Sequence, residues 1–210
     1  MRNIMLYTVA TIILLIVSMP LFASDTLLES LYKGGSNPHA YTSGIDKSVT
    51  FNDNASRYIK SKKDSLDESD YVALLSSASV NNFKGKRLKL TVNIKTSSTD
   101  GEVGAFLGIY KKDRLQKPKS TGYFNKNRKD RRFSKNTLAF DNMHGREVTG
   151  STEWQEYAIV LDVPQNADNM IFGVLLVGSG QVWFNDLAFY IVDKNTPVTD
   201  LFDNRTENNL

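Results

Sequence analysis

The chain predicts an all-β domain, an antiparallel β-sandwich of jelly-roll type. Three features carry that expectation. Apolar residues recur with period two in one segment after another. No stretch after residue 33 holds a 3.6-residue period of useful length, and turn residues close the apolar runs at short intervals. The 210 residues suit one such domain. With no cysteine present, disulfides and a lipoprotein anchor are excluded, and stability has to come from the core.

Residues 1–23 stand apart from the fold. Arg2, the apolar run from Ile4 to Val17, the helix-breaking Pro20 and the small Ala23 read as a secretory signal helix cleaved after Ala23. The alternative is an uncleaved N-terminal membrane anchor, because the run through Ala23 nears the roughly 20 residues that span a bilayer. Either way the domain is expected outside the cytoplasm, with a Gram-negative periplasm as first choice. Residues 24–40 form a connector, with a helical turn or two over Ser24 to Lys33 and a turn-rich stretch from Gly34 to Tyr41.

The sandwich is expected over 41–194. "KSVTF", "SRYIKS" and "YVALLSSASV" supply its first short strands. In "KRLKLTVNIK", Leu88, Leu90, Val92 and Ile94 alternate with Lys89, Thr91, Asn93 and Lys95, the pattern of a half-buried strand. "EVGAFLGIY" reads as a separate strand, "NTLAF" as a short one, and "WQEYAIVLDV" as one closed by Pro164. "NMIFGVLLVG" is apolar on both faces and belongs at the centre. In "QVWFNDLAFYIV" the alternation places Trp183 with Leu187 and Phe189 in the core, and Gly178-Ser179-Gly180 before it signals a tight hairpin. Residues 195–210 are polar and Asn-rich and are expected to form a flexible tail.

One segment breaks the pattern. Residues 112–136 form a basic insert with no core periodicity, long for a loop inside a compact domain. Between Lys111 and Lys135 eleven basic residues face only Asp113 and Asp130, a local charge of +9 in a chain whose total is +3. Lys126, Arg128, Lys129, Arg131, Arg132 and Lys135 cluster there, with Tyr123, Phe124 and Phe133 interleaved. Such a segment contacts anions or is a solvated hairpin extension. An exported protein meets lipid phosphates, lipopolysaccharide or acidic glycans rather than nucleic acid.

The stretches "FKGKRLKLTVNIKT", "LAFDNMHGREVTGSTEWQEYAIVLDVPQNADNMIFGVLLVGSGQVWFNDLAFYIVD" and "TPVTD" resemble a carbohydrate-binding-module-like, galactose-binding-like jelly-roll domain. Such domains occur attached to AraC-family and other bacterial transcription regulators and as stand-alone copies. The resemblance runs roughly from Ala40 to Asp200. It implies the sandwich fold and no catalytic apparatus. Two departures stand out. A Trp-bearing strand of the relatives is replaced by "AFLGIYKKDR" and the basic insert. The relatives' Asp-Asp in the last strand is Asn185-Asp186 here. In calcium-bearing jelly rolls an acidic residue of that strand helps hold a structural ion. A calcium in this chain would therefore rely on Asp186, with the loop around Asp46, and Asn185 is the weaker ligand.

Catalysis has little to work with. His39 and His144 are the two histidines, neither in a nucleophile motif. Asp141, Glu147, Glu153 and Glu156 are near in sequence but belong to strand edges and loops, which leaves a hydrolase as the remote alternative. His144 with Asp141 lacks a further ligand at zinc spacing. The expected function is that of a non-catalytic binding module for an envelope glycan or another small polar ligand, with no cofactor. Asp141, Asn142 and Arg146 would give polar contacts and Trp154 an aromatic face, with Tyr157, Tyr110, Tyr123 and Trp183 as further aromatics, of which Trp183 is assigned to the core by its strand alternation. The alternative is an interaction protein for a membrane surface, a polyanion or a protein partner, acting through the basic insert.

Overall fold

The computed structural model describes residues 28–67, 69–111 and 136–200. Among them run nine strands: β1 (Tyr32–Gly35), β2 (Tyr41–Phe51), β3 (Asn54–Ser61), β4 (Tyr71–Ser79), β5 (Arg87–Tyr110), β6 (Thr137–Asp141), β7 (Val148–Asp162), β8 (Asn169–Val177) and β9 (Gln181–Val192). All pairings are antiparallel, in the order β1-β4-β8-β5-β9-β3-β2, with β6 and β7 also on β5. Helical residues in this set are 28–29, within the stretch expected to hold a helical turn or two, and two short 3₁₀ turns at Pro38–Ala40 and Asn81–Phe83. The all-β jelly-roll sandwich expected from the alternation is the architecture found.

β5 organises the whole. "KRLKLTVNIK" and "EVGAFLGIY" are one 24-residue strand, not two. Its first half pairs with β7 and β9, its second half with β8 and β6. Between them the β5–β7 register slips repeatedly and Ser98 takes φ 50°, so the strand bends and passes from one layer to the other. Gly101 is required at this bend: a Cβ there would lie 2.0 Å from the Val177 carbonyl oxygen. The turn at Gly178-Ser179-Gly180 follows the same logic. It joins β8 to β9, yet the two do not pair. Each lies on a different half of β5, so the turn is a corner between layers and not the expected hairpin.

Between the layers sits one apolar core. Leu88, Leu90, Val92, Ile94, Leu107, Ile109, Phe172, Phe184 and Phe189 are each at most 1% exposed. Complete burial of side chains of this size stabilises by about 1.5–3 kcal/mol each. Phe172 and Phe189 meet edge to face at 4.9 Å across the layers. Tyr41 is also fully buried. Its hydroxyl donates to the Gly178 (2.9 Å) and Asp70 (3.0 Å) carbonyls, and burial beside Asp70 and Asp100 pushes its pKa up.

At the ends, two expectations are corrected. β1 lies within the stretch read as connector: "YKGG" is an edge strand on β4. Leu28 and Leu31 belong to the core, and Arg57 clamps the Leu28 carbonyl through Nε (2.9 Å) and Nη2 (2.6 Å). The stretch read as flexible tail is anchored as far as Asp200. The Thr199 N–H donates to the Val160 carbonyl (2.9 Å), the Val160 N–H to Thr199 Oγ1 (3.0 Å), and the Phe140 N–H to Asp200 Oδ1 (3.0 Å). The signal segment 1–23 and residues 201–210 lie outside the described residues.

Candidate functional site

The four residues expected to meet a ligand fall in two places. Asp141, Asn142 and Arg146 come together in the loop after β6. Asp141 pairs in register with Leu107 and is fully buried. Its Oδ1 accepts the Met143 N–H at 2.7 Å and its Oδ2 the Arg146 Nη2–H at 2.5 Å, and Arg146 also donates to the Ala158 carbonyl at 3.2 Å. Burial pushes the Asp141 pKa up, opposed by hydrogen bonds from Thr199 and Met143 and by the Arg146 charge. Asn142 keeps a buried Oδ1 without a hydrogen-bond partner. The carboxylate thus ties β6, the loop, β7 and the C-terminal segment together, and offers no surface to a ligand. His144 turns outward and pairs with Glu147 (Nδ1 to Oε1, 2.8 Å).

Trp154 belongs elsewhere. It stands on β7, four residues from Ala158, about 13 Å along the strand. Its ring packs on Phe51 with centroids 5.2 Å apart and planes tilted by 57°. β2 and β7 lie at opposite ends of their layer, so the β2 segment beyond its register break at Asp46–Thr50 crosses the outer face of that layer. Trp183 lies under the same crossing. It was expected in the core with Leu187 and Phe189, and it is not there. Val182 and Phe184 on either side of it are fully buried, which turns Trp183 outward. Asp186 takes φ 50°, and the β5–β9 register breaks between Thr91 and Asn93, so the alternation changes phase and returns Leu187 and Phe189 to the core.

On this outer face a cross-strand row forms from Gly44, Tyr58, Trp183 and Lys95. The absent side chain of Gly44 makes room for the Tyr58 ring, whose Cε1 would lie 3.1 Å from a Cβ. The Trp183 Nε1–H donates to Asp46 Oδ2 at 2.9 Å, which fixes the indole. Asp46 Oδ1 accepts from Ser48 Oγ (2.6 Å) and from the Ser48 N–H (2.9 Å). Hydrogen bonds from Ser48, and then from Trp183, hold the Asp46 pKa at about 2. Lys95 reaches Glu153 of β7 at 2.5 Å. Phe51, Tyr58, Trp154 and Trp183 are all half-buried. The result is a set of fixed aromatic surfaces bordered by an ionised carboxylate and an ammonium–carboxylate pair. Such a surface stacks apolar ring faces and hydrogen-bonds hydroxyl groups.

A second concavity, of about 380 Å³, opens beside the Gly178–Gly180 corner and is lined by Ser65, Leu66, Asp100, Glu102 and Thr149 among others. Asp100 is engaged by the Ser179 N–H (2.7 Å) and hydroxyl (2.6 Å), so it fastens the corner. Among the described residues no three His, Asp or Glu side chains gather to hold a metal ion. Lys126, Arg128, Lys129, Arg131, Arg132 and Lys135 lie outside the described residues; the insert's base is closed by the Lys111 N–H on the Asn136 carbonyl at 2.8 Å.

No family model matches the chain. A Bacillus subtilis (strain 168) protein named "Uncharacterized HTH-type transcriptional regulator YbfP" is 32% identical over 181 residues, covering 84% of this chain and 54% of its own length. The chain thus spans about half of that relative, whose name gives a helix-turn-helix regulator without an AraC assignment. Among solved structures, the enzymatically active domain of the bacteriophage CBA120 tailspike protein 4 matches with TM-score 0.51 and 10% identity, over 79% of this chain and 20% of that one. The C-terminal family 22 carbohydrate-binding module of Clostridium thermocellum Xyn10B matches with TM-score 0.48 and 9% identity, over 83% and 96%. Modules of families 4 and 30 are further structural neighbours.

Proposed function

We propose that this chain is a non-catalytic, exported binding module for a glycan or another small polar ligand, and that the ligand lies on the outer face formed by β2, β3, β9, β7 and the first half of β5. One observation carries the reading. Trp183, Tyr58 and Trp154 present half-exposed rings on a sheet face, and hydrogen bonding and packing fix the two indoles in place. Preorganised aromatic faces lower the ordering cost of binding. Asp141, Asn142 and Arg146 act beneath this function, as the anchor of the β6–β7 loop.

A second reading rests on a separate feature. The +9 segment springs from the hairpin base at Lys111 and Asn136 and suits a polyanion or a lipid headgroup surface. Salt separates the two. The full chain is titrated with neutral glycans and with polyanions at low and high ionic strength, alongside Trp183→Ala and Trp154→Ala. Glycan binding that resists salt and falls at least about tenfold in Trp183→Ala supports the aromatic face. Glycan binding unchanged in both variants removes the site from this face, and polyanion binding that vanishes with salt transfers the function to the insert.

A further inference from the structure

Asn185 sits where the resemblance to calcium-bearing jelly rolls implies an acidic ligand, and its surroundings do not fit a cation. It is 1% exposed. Its Nδ2 donates to the backbone carbonyls of Asn54 (3.3 Å) and Ala55 (3.2 Å), and its Oδ1 accepts the Asp186 N–H at 2.9 Å. These three groups determine which way the amide points. Turned over, it would set an oxygen against two carbonyl oxygens and an N–H₂ against an N–H. The two carbonyls stand at N–H···O spacing from the amide nitrogen, whereas calcium gathers six to eight oxygens at about 2.3–2.6 Å.

We infer that the Asn185 carboxamide replaces a cation in this sandwich: its N–H groups hold the Asn54 and Ala55 carbonyls that a hard cation would collect, so the fold is independent of calcium, and Asn185→Asp turns the same position into a cation site. The substitution exchanges two donors for a carboxylate oxygen. That oxygen faces the Asn54 and Ala55 carbonyls with no N–H between them, so without a cation these oxygens repel one another. A divalent cation supplies the missing positive charge.

The test is thermal unfolding of the full chain by circular dichroism, in excess EDTA and in millimolar calcium. The wild-type midpoint is expected to be the same in both, and calorimetric titration to show no stoichiometric calcium uptake. Asn185→Asp is expected to unfold about 5–10 °C lower in EDTA and to regain most of that in calcium. Asn185→Ala is expected to be lowered equally in both. A wild-type midpoint that rises with calcium, or an Asn185→Asp variant that calcium fails to rescue, overturns the inference. Should Asn185→Asp be unfolded in EDTA, return of the folded spectrum on adding calcium supports the inference and its absence overturns it.

Discussion

Both layers of the sandwich hang on β5, and their outer faces are opposites. Behind β4, β8 and the second half of β5, Tyr71, Ala73, Phe106, Leu175 and Val177 form a second apolar cluster, each at most 8% exposed. Behind β2, β3, β9 and the first half of β5 the outward residues are Gly44, Tyr58, Trp183 and Lys95, open enough for contact. One strand therefore serves two environments. Its second half is apolar on both sides, and its first half alternates between core and surface. A sheet buried on two sides has given up its outer face to stability. The mixed face keeps the freedom to bind.

The largest test of that contrast puts a charge where the second apolar cluster lies. Phe106→Lys is expected to destabilise by about 3–5 kcal/mol, a fall of about 10 °C or more in the unfolding midpoint, because the ammonium is buried without a counter-ion. Trp183→Ala on the opposite face should shift the midpoint far less while weakening ligand binding. Equal losses of stability at the two positions would erase the distinction between the faces.

Next in size is Arg146→Ala. It leaves the Asp141 carboxylate buried without its guanidinium partner and is expected to cost about 3 kcal/mol at neutral pH. The sign with pH is definite. A carboxyl whose folded pKa is raised above its unfolded value loses stability as pH rises through the folded pKa, and recovers it on acidification. The deficit of Arg146→Ala against wild type should therefore shrink as pH is lowered from neutral towards 4, read from denaturant unfolding at each pH. A deficit that does not change with pH would mean that the variant is hurt by lost packing and not by a stranded charge.

These contrasts were unevenly legible in the sequence. The strands from "KSVTF" to "QVWFNDLAFYIV" were visible because burial of one face enforces period two. The unity of β5 was not, since "SSTDG" reads as a turn and the bend it makes depends on pairing with β7 and β8. β1 was missed because "YKGG" is too short and Gly-rich to show alternation, and its pairing with β4 comes from distant sequence. The face of Trp183 hinged on a single residue, Asp186 at φ 50°, and aspartate in a strand does not announce a left-handed bulge. Asp141 looked like a loop carboxylate. Only its register opposite Leu107 turns it inward.

The smallest effects belong to the rim of the mixed face. Lys95→Ala breaks an ion pair with the exposed Glu153, and such pairs contribute about 0–1 kcal/mol, so its unfolding midpoint should stay within a few degrees of wild type. Asp46 is the subtler probe. Its folded pKa of about 2 lies below the unfolded value of 3.8, so the stabilisation it gives is complete at neutral pH and is lost as pH falls from about 4 to about 2. Protonation weakens its grip on the indole N–H of Trp183. Ligand binding and the tryptophan emission maximum are therefore expected to hold steady between pH 8 and pH 4 and to change together below it. Asp46→Asn, which has no such proton to gain, should abolish the acid-side change in emission. An emission change centred near pH 4 in the wild type would mean that Asp46 titrates as a free carboxylate and that the hydrogen bond from the Trp183 indole does not hold it ionised.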